Sequence, residues 1–306
     1  MNIREWTLPV YTILTQLSTG ALLFIMIIRL LRKKTTSLVD VDYTTKIPIL
    51  IIFITALFAI GFAHLHLSKP LLSFTAIRNI RTSWLSRELL LNIIYIILLS
   101  SLTGTLWLIK DNFKLKTILG WLTILAGFGI EYCMAHIYMI PSQPAWNTFL
   151  TPISFFFTTL LLGAMTVPVL LMMDLIFKKS LVKEEFSIHV QLVEISLKWL
   201  TIIAIIISIS MSILIFFQTA NLSGGSPTAQ ASLVLLMEIY QPLFILRLIA
   251  MFVGVGWSGI TTVQFFRGKI HIDQLLTHTF TACLLVLVAE ILGRFLFYAI
   301  HVKIGI

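Results

Sequence analysis

The sequence predicts an all-α, polytopic membrane protein. It is a bundle of eight transmembrane helices with both termini on the outer, periplasmic side, in a single domain over residues 1–306. Three observations predict this. Of the 306 residues, 58% are hydrophobic and only 11% charged, whereas a soluble domain carries about 25% charge. The apolar residues come in long blocks rather than alternating with polar ones, and mean hydropathy is +0.99. Most Lys and Arg residues fall in the short connections between blocks, where they set orientation. The net charge of +9 is therefore a membrane signal, and no nucleic-acid partner is expected.

A span needs about 20 apolar residues to cross a core of ~30 Å. Eight blocks qualify, at 8–31, 47–67, 88–109, 117–140, 151–177, 194–217, 240–266 and 274–300. The first is preceded only by Arg4 and Glu5, which cancel, and ends in Arg29, Arg32, Lys33 and Lys34. A signal peptide has a positive segment before its apolar stretch, so this block reads as a first span with a basic stop. The second block is followed by HLSKPLLSFTAIRNIRTSWLSRE, from His66 to Glu88. The fourth leads through a connection without Lys or Arg to the fifth. The sixth is preceded by the mixed-charge KEEFSIHVQLVEISLK, expected to lie at the interface. NLSGGSPTAQA at 221–231 reads as a loop before the seventh. Glycines inside spans, Gly20 and Gly163 among them, suggest close helix packing.

The connections after the first, third, fifth and seventh spans hold most of the cations, which places them inside and both termini outside. The 68–87 loop is the exception. It lies on the outer side yet carries Lys69, Arg78, Arg81 and Arg87. Cations there suggest docking of a partner or a quinol headgroup, against the alternative of a solvated loop.

Ionisable groups inside spans are costly and usually functional. Here nearly all belong to the outer half: Gln16, His64, His66, Glu88, Glu131, His136, Arg247, Glu290, Arg294 and His301. A transporter places such groups near the midplane, so this asymmetry speaks against one. His64 and His66 are two apart and point to different helix faces. His136 is one possible partner, but no second pair lies deeper, so no haem is expected. Cys133 and Cys283 lack the spacing and number for an iron–sulfur cluster; no cluster, metal site or disulfide is expected. Glu290 and Arg294, four apart, are expected to form a structural ion pair. A one-sided set of acid, base and cation suits quinol oxidation. Two protons must leave with two electrons, bases accept the protons, and cations steady the developing anion.

Several motifs resemble one family. His66-Leu67-Ser68-Lys69-Pro70 and Ser83-Trp84-Leu85-Ser86-Arg87-Glu88 are similar to the signature of the membrane-anchor subunit of dimethyl sulfoxide reductase. Gln16, Pro144-Ala145-Trp146, Thr151-Pro152, Phe155-Phe156-Phe157-Thr158, Arg247, Glu290-Ile291-Leu292-Gly293-Arg294, Phe297-Tyr298 and His301 follow in order. Two departures are Lys69, with Ser68 where a glycine is common, and His136 where an arginine can stand. The resemblance implies a multi-pass subunit of the inner membrane that oxidises menaquinol. Its partners would be membrane lipid, a ferredoxin-like four-cluster iron–sulfur subunit and a molybdopterin catalytic subunit. It also implies His66 and Glu88 as the proton-handling pair. Gln16, His64, Arg78, Arg81, His136 and Arg247 complete the expected quinol site. The alternatives are a secondary transporter, or the anchor of a molybdoenzyme acting on another S-oxide or N-oxide.

The orientation is testable. Single-cysteine variants at Ser73 and Ser180 should respectively label and not label with an impermeant reagent applied from outside. The reverse pattern would invert the topology.

Overall fold

The computed structural model describes residues 3–32, 38–66, 77–109, 112–178 and 183–303. Within them, the side chains of 3–5, 38–40, 66, 183–189 and 273 fall outside the description. Eight helices are long and apolar enough to cross a membrane, in agreement with the blocks counted in the sequence. They are α1 (Ile3–Arg32), α2 (Leu38–His66), α3 (Trp84–Leu108), α4 (Phe113–Tyr138), α5 (Leu150–Phe177), α6 (Lys183–Ser223), α8 (Gln241–Phe266) and α9 (Ile272–Ala299). A short α7 (Pro227–Val234) and a π-helical turn (Leu235–Ile239) join α6 to α8. An even number of spans puts both termini at one end of the bundle.

Two sequence expectations change. The mixed-charge stretch does not precede the sixth helix but forms its first turns: α6 runs unbroken from Lys183 for 41 residues, about 60 Å at 1.5 Å per residue. The 221–231 segment is mostly helical. Asn221–Ser223 end α6, and Ser226 caps α7 by accepting a hydrogen bond from the Ala229 amide at 3.4 Å. Pro227 then occupies the first helical turn, where its missing N–H costs nothing. A serine followed by a proline starts a helix here rather than prolonging a loop.

α5 and α1 form the centre of the bundle. The most apolar stretch of α5 is 78% buried, against 28% for α8. α1 packs on α2, α4, α5 and α9; α5 also packs on α6 and α9; α3 pairs with α4, and α8 with α9. Gly20 and Gly163 face each other where α1 crosses α5. A Cβ on Gly20 would enter the Thr159 carbonyl, and one on Gly163 would enter the Gly20 backbone. In lipid, helices associate through close packing rather than through a hydrophobic driving force. The two glycines let the backbones meet. Around them lies a shell of fully buried side chains that includes Leu22, Ile25, Phe155, Leu161 and Leu162.

The end of the bundle away from the termini is tied by charge. Asp42 on α2 accepts Arg29 of α1 at 2.6 Å and Lys116 of α4 at 2.5 Å. Arg29 also donates to the Thr45 hydroxyl. On α5, Lys178 meets Asp174 at 2.7 Å and donates to the Tyr43 carbonyl. Four helices thus converge on a few basic residues, each held by an acceptor as a buried charge must be.

Gly20→Ala and Gly163→Ala should each destabilise the protein by at least about 1–3 kcal/mol, the typical cost of overpacking. The measurement is the thermal midpoint of the purified protein in detergent. Gly61→Ala is the control, since a Cβ there meets nothing within 4 Å, and it should leave the midpoint unchanged.

Candidate functional site

At the end shared by the termini the polar residues of seven spans collect. Ser83 has extended backbone (φ −112, ψ 123) and caps α3, its hydroxyl accepting from the Ser86 amide. That cap starts the helix one turn before Glu88 and turns Glu88 and Asn92, four apart, toward α1. Glu88 is 6% exposed. The Tyr11 hydroxyl donates to its Oε1 at 2.7 Å. Asn92 Nδ2 donates to the Tyr11 oxygen at 2.7 Å and to the Glu88 carbonyl at 3.0 Å. Among the described residues no cation lies within ion-pair distance of Glu88. It is a buried carboxyl held by a neutral hydroxyl rather than one spent in a salt bridge.

Above it the connecting loop is stitched to α3. Arg87 donates from Nε to the Ile80 carbonyl and from Nη2 to the Arg81 carbonyl, both at 2.8 Å. Its guanidinium lies 4.2 Å from the Trp84 ring centre. Trp84 in turn packs on His136, with ring centres 4.6 Å apart. His136 also stacks on Tyr132, and its Nδ1 contacts the Tyr132 carbonyl at 2.9 Å. Arg87 is thus engaged by its own loop, while Arg78 and Arg81 point outward, exposed. His64 sits on the last turn of α2, its Nδ1 at 2.9 Å from the Ile60 carbonyl. His66 is the final residue of α2, but its side chain, like residues 67–76 with Lys69, lies outside the described residues.

Behind Glu88 a second set runs through the bundle centre. Gln16 is fully buried, donating to the Phe155 carbonyl at 2.9 Å and accepting from Arg294 Nη2 at 3.0 Å. The consecutive threonines of α5 each hold a carboxylate: Thr158 donates to Glu290 at 2.6 Å and Thr159 to Glu131 at 2.7 Å. The Glu290–Arg294 ion pair expected from the sequence is therefore not formed. The spacing of four permits it, but α5 presents Thr158 to Glu290 and the Phe155 ring to Arg294. The guanidinium stacks 3.8 Å from that ring centre, and cation–π contact replaces the carboxylate. Arg247 fits against Gly293, where any Cβ would strike its guanidinium. Arg247, Glu290, Arg294 and Thr158 line a cavity of ≈ 100 Å³ between α5, α6, α8 and α9, with Trp146 and Thr219 at its rim. Glu290 Oε1, Arg247 Nε and Arg294 Nε have no protein partner there. Buried polar atoms are rarely left unsatisfied, and a polar cavity of this size holds several waters.

The structure thus separates the expected residues into two groups. Glu88, with His136 and the arginine loop nearby, faces the α1–α3–α4 side. Arg247 lies across α9, and Gln16 stands between the groups. Tyr138 and Tyr298 bridge α4 and α9 with a hydroxyl contact of 2.7 Å. Trp146 donates to the Phe297 carbonyl at 2.8 Å and stacks on His301, closing the top. Sequence reading missed Tyr11, Asn92 and Thr159, and named Thr158 only within a family motif, without its contact to Glu290. The four-residue spacing of Glu88 and Asn92 was a usable signal for one of them; Tyr11, 77 positions from its partner, left none. Cys133 and Cys283 are free thiols.

Gln16→Leu should destabilise the protein, since it strips the acceptor from the buried Arg294 Nη2, whereas the Phe155 carbonyl keeps the Thr159 hydroxyl. Each buried group left unpaired costs about 1–3 kcal/mol. The fall should appear in the thermal midpoint in detergent.

A family model described as the DMSO reductase anchor subunit (DmsC) matches residues 1–300. The protein is 29% identical over 320 residues to the C subunit of the anaerobic dimethyl sulfoxide reductase of Haemophilus influenzae, covering 100% of this sequence and 98% of that one. It is 25% identical over 308 residues to the YnfH subunit of an anaerobic dimethyl sulfoxide reductase of Escherichia coli, with 99% and 96% covered. With the C subunit of the Escherichia coli anaerobic dimethyl sulfoxide reductase the identity is 23% over 309 residues, again covering 99% and 96%. A match along nearly the whole length, over eight spans that hold the motif residues in order, makes this protein a member of the dimethyl sulfoxide reductase anchor-subunit family.

Proposed function

We propose that the protein oxidises a quinol, menaquinol by its family resemblance, at the outer face of the membrane, as the anchor of a dimethyl sulfoxide reductase complex. The family and the eight apolar helices make it a multi-pass protein of the inner membrane. The observation that carries the reading is Glu88. It is buried and oriented by Tyr11, lacks a cationic partner among the described residues, and sits directly beneath a basic loop.

In this reading the headgroup enters from lipid beside α2 and α3. One hydroxyl gives its proton to His66 and the other to Glu88, while two electrons leave to an iron–sulfur subunit docked above. The balance is one quinol to one quinone, two protons and two electrons. The anchor-subunit family implies a partner iron–sulfur subunit and a catalytic subunit; four clusters in the first and molybdopterin in the second complete the route. The exposed Arg78 and Arg81 are free to meet that partner or the headgroup. His64 and His136 border the entrance. Gln16 and Arg247 act from behind, holding Arg294 and the Glu290 cavity in register with the site. Tyr11 positions the Glu88 carboxyl and relays no charge of its own.

Two substitutions test the assignment in the assembled complex. His66→Leu should abolish sulfoxide reduction driven by a quinol analogue, and Glu88→Gln should lower it at least about tenfold, the lower end for loss of a general base. Reduction driven by an artificial dye that feeds electrons directly to the partner subunits should persist in both. Full quinol-driven activity in His66→Leu would sink the site.

A further inference from the structure

A large groove of ≈ 970 Å³ opens between α6 and α8, at the end of the bundle away from the termini. Its mouth carries Lys198 of α6 with Arg267 and Lys269 just beyond α8, all three exposed. Among the described residues no carboxylate lines it. The cations are set by backbone geometry. Gly268 takes φ +70, and the amides of Gly268 and Lys269 bond back to the Phe265 and Gln264 carbonyls, both at 2.9 Å. This closing turn satisfies the last carbonyls of α8 and folds Lys269 back beside Arg267.

Below the mouth the walls are apolar: Ile202, Ile205, Ile260, Val263 and Phe266. Gly256 and Gly259 leave the deep end open, with at most one side-chain atom, at 3.9 Å, near a notional Cβ. The polar groups of the floor satisfy one another, Thr201 meeting Thr262 at 3.0 Å and Ser258 at 3.3 Å. Gly256 and Arg267 are eleven residues apart on α8, so the groove runs about 16 Å. One leaflet of a ~30 Å core is about 15 Å deep.

We propose that this groove binds an anionic phospholipid, its phosphate against Lys198, Arg267 and Lys269 and an acyl chain along Gly256 and Gly259. Basic pockets between spans suit such headgroups. A free phosphate has no use for an apolar trough one leaflet long. An apolar helix of a second copy would bring no counter-charge to the three cations.

The test uses the purified full-length protein, released from detergent into a native mass spectrometer after titration with phosphatidylglycerol or phosphatidylethanolamine. At least fivefold more phosphatidylglycerol should be retained. The triple variant Lys198→Gln, Arg267→Gln, Lys269→Gln should bring it down to the phosphatidylethanolamine level. Gly256→Leu with Gly259→Leu, which fills the trough without changing charge, should do the same, and Lys114→Gln, an exposed cation elsewhere, should have no effect. Equal retention of the two lipids, or undiminished phosphatidylglycerol in the filled variant, would overturn the proposal. So would complete displacement by inorganic phosphate, or a lipid-free dimer that the filled variant loses.

Discussion

The crossing of α1 and α5 at Gly20 and Gly163 is the contact on which the rest of the structure depends. It brings two backbones together with no side chain between them. Because both helices are nearly surrounded by others, their rotation at this point sets which residues face which neighbour. With Gly20 against Gly163, Gln16 sits one turn nearer the N-terminus, within reach of the Phe155 carbonyl. Thr158 and Thr159 then project to different sides of α5, one toward α9 and one toward α4. A larger residue at either glycine would push the helices apart and unpair this whole layer.

Around that crossing the protein handles charge in two ways. At the end away from the termini, Arg29, Lys116 and Lys178 are matched by Asp42 and Asp174. These pairs are structural, with donors and acceptors within reach of one another. At the other end the carboxyls of Glu88, Glu131 and Glu290 are met by hydroxyls, and Arg294 by an amide and an aromatic face. Neutral partners stabilise a carboxyl without fixing it in the ionised form. The two ends lie about 27 Å apart along α1, from Tyr11 to Arg29, so the two arrangements are separated by most of the membrane.

Parts of the site were legible in the sequence and parts were not, for one reason. That Gln16, Glu88, Glu131, Arg247, Glu290 and Arg294 share a level follows from counting residues along helices of known direction. Their partners do not follow from it. Spacing along α9 suggested a Glu290–Arg294 pair, yet each residue is satisfied by α5 or α1 instead. Arg87, counted with the loop cations, spends its donors on two carbonyls of its own loop. Gly293, named in the sequence only as part of a motif, is the gap that admits the Arg247 guanidinium.

The sequence by itself determined the class, the eight spans and the level of the polar residues. Those are local properties: a run of some twenty apolar side chains commits to the bilayer whatever its neighbours do. Its motifs also carried the family. The tertiary structure alone decided how the polar residues divide into a Glu88 group and an Arg247 group. It alone supplied Tyr11, Asn92 and Thr159, gave Thr158 its carboxylate partner, and left a basic-mouthed groove between α6 and α8. Those outcomes depend on how each helix is rotated and where it crosses the next, which side-chain shape sets across distant parts of the sequence and no single helix encodes.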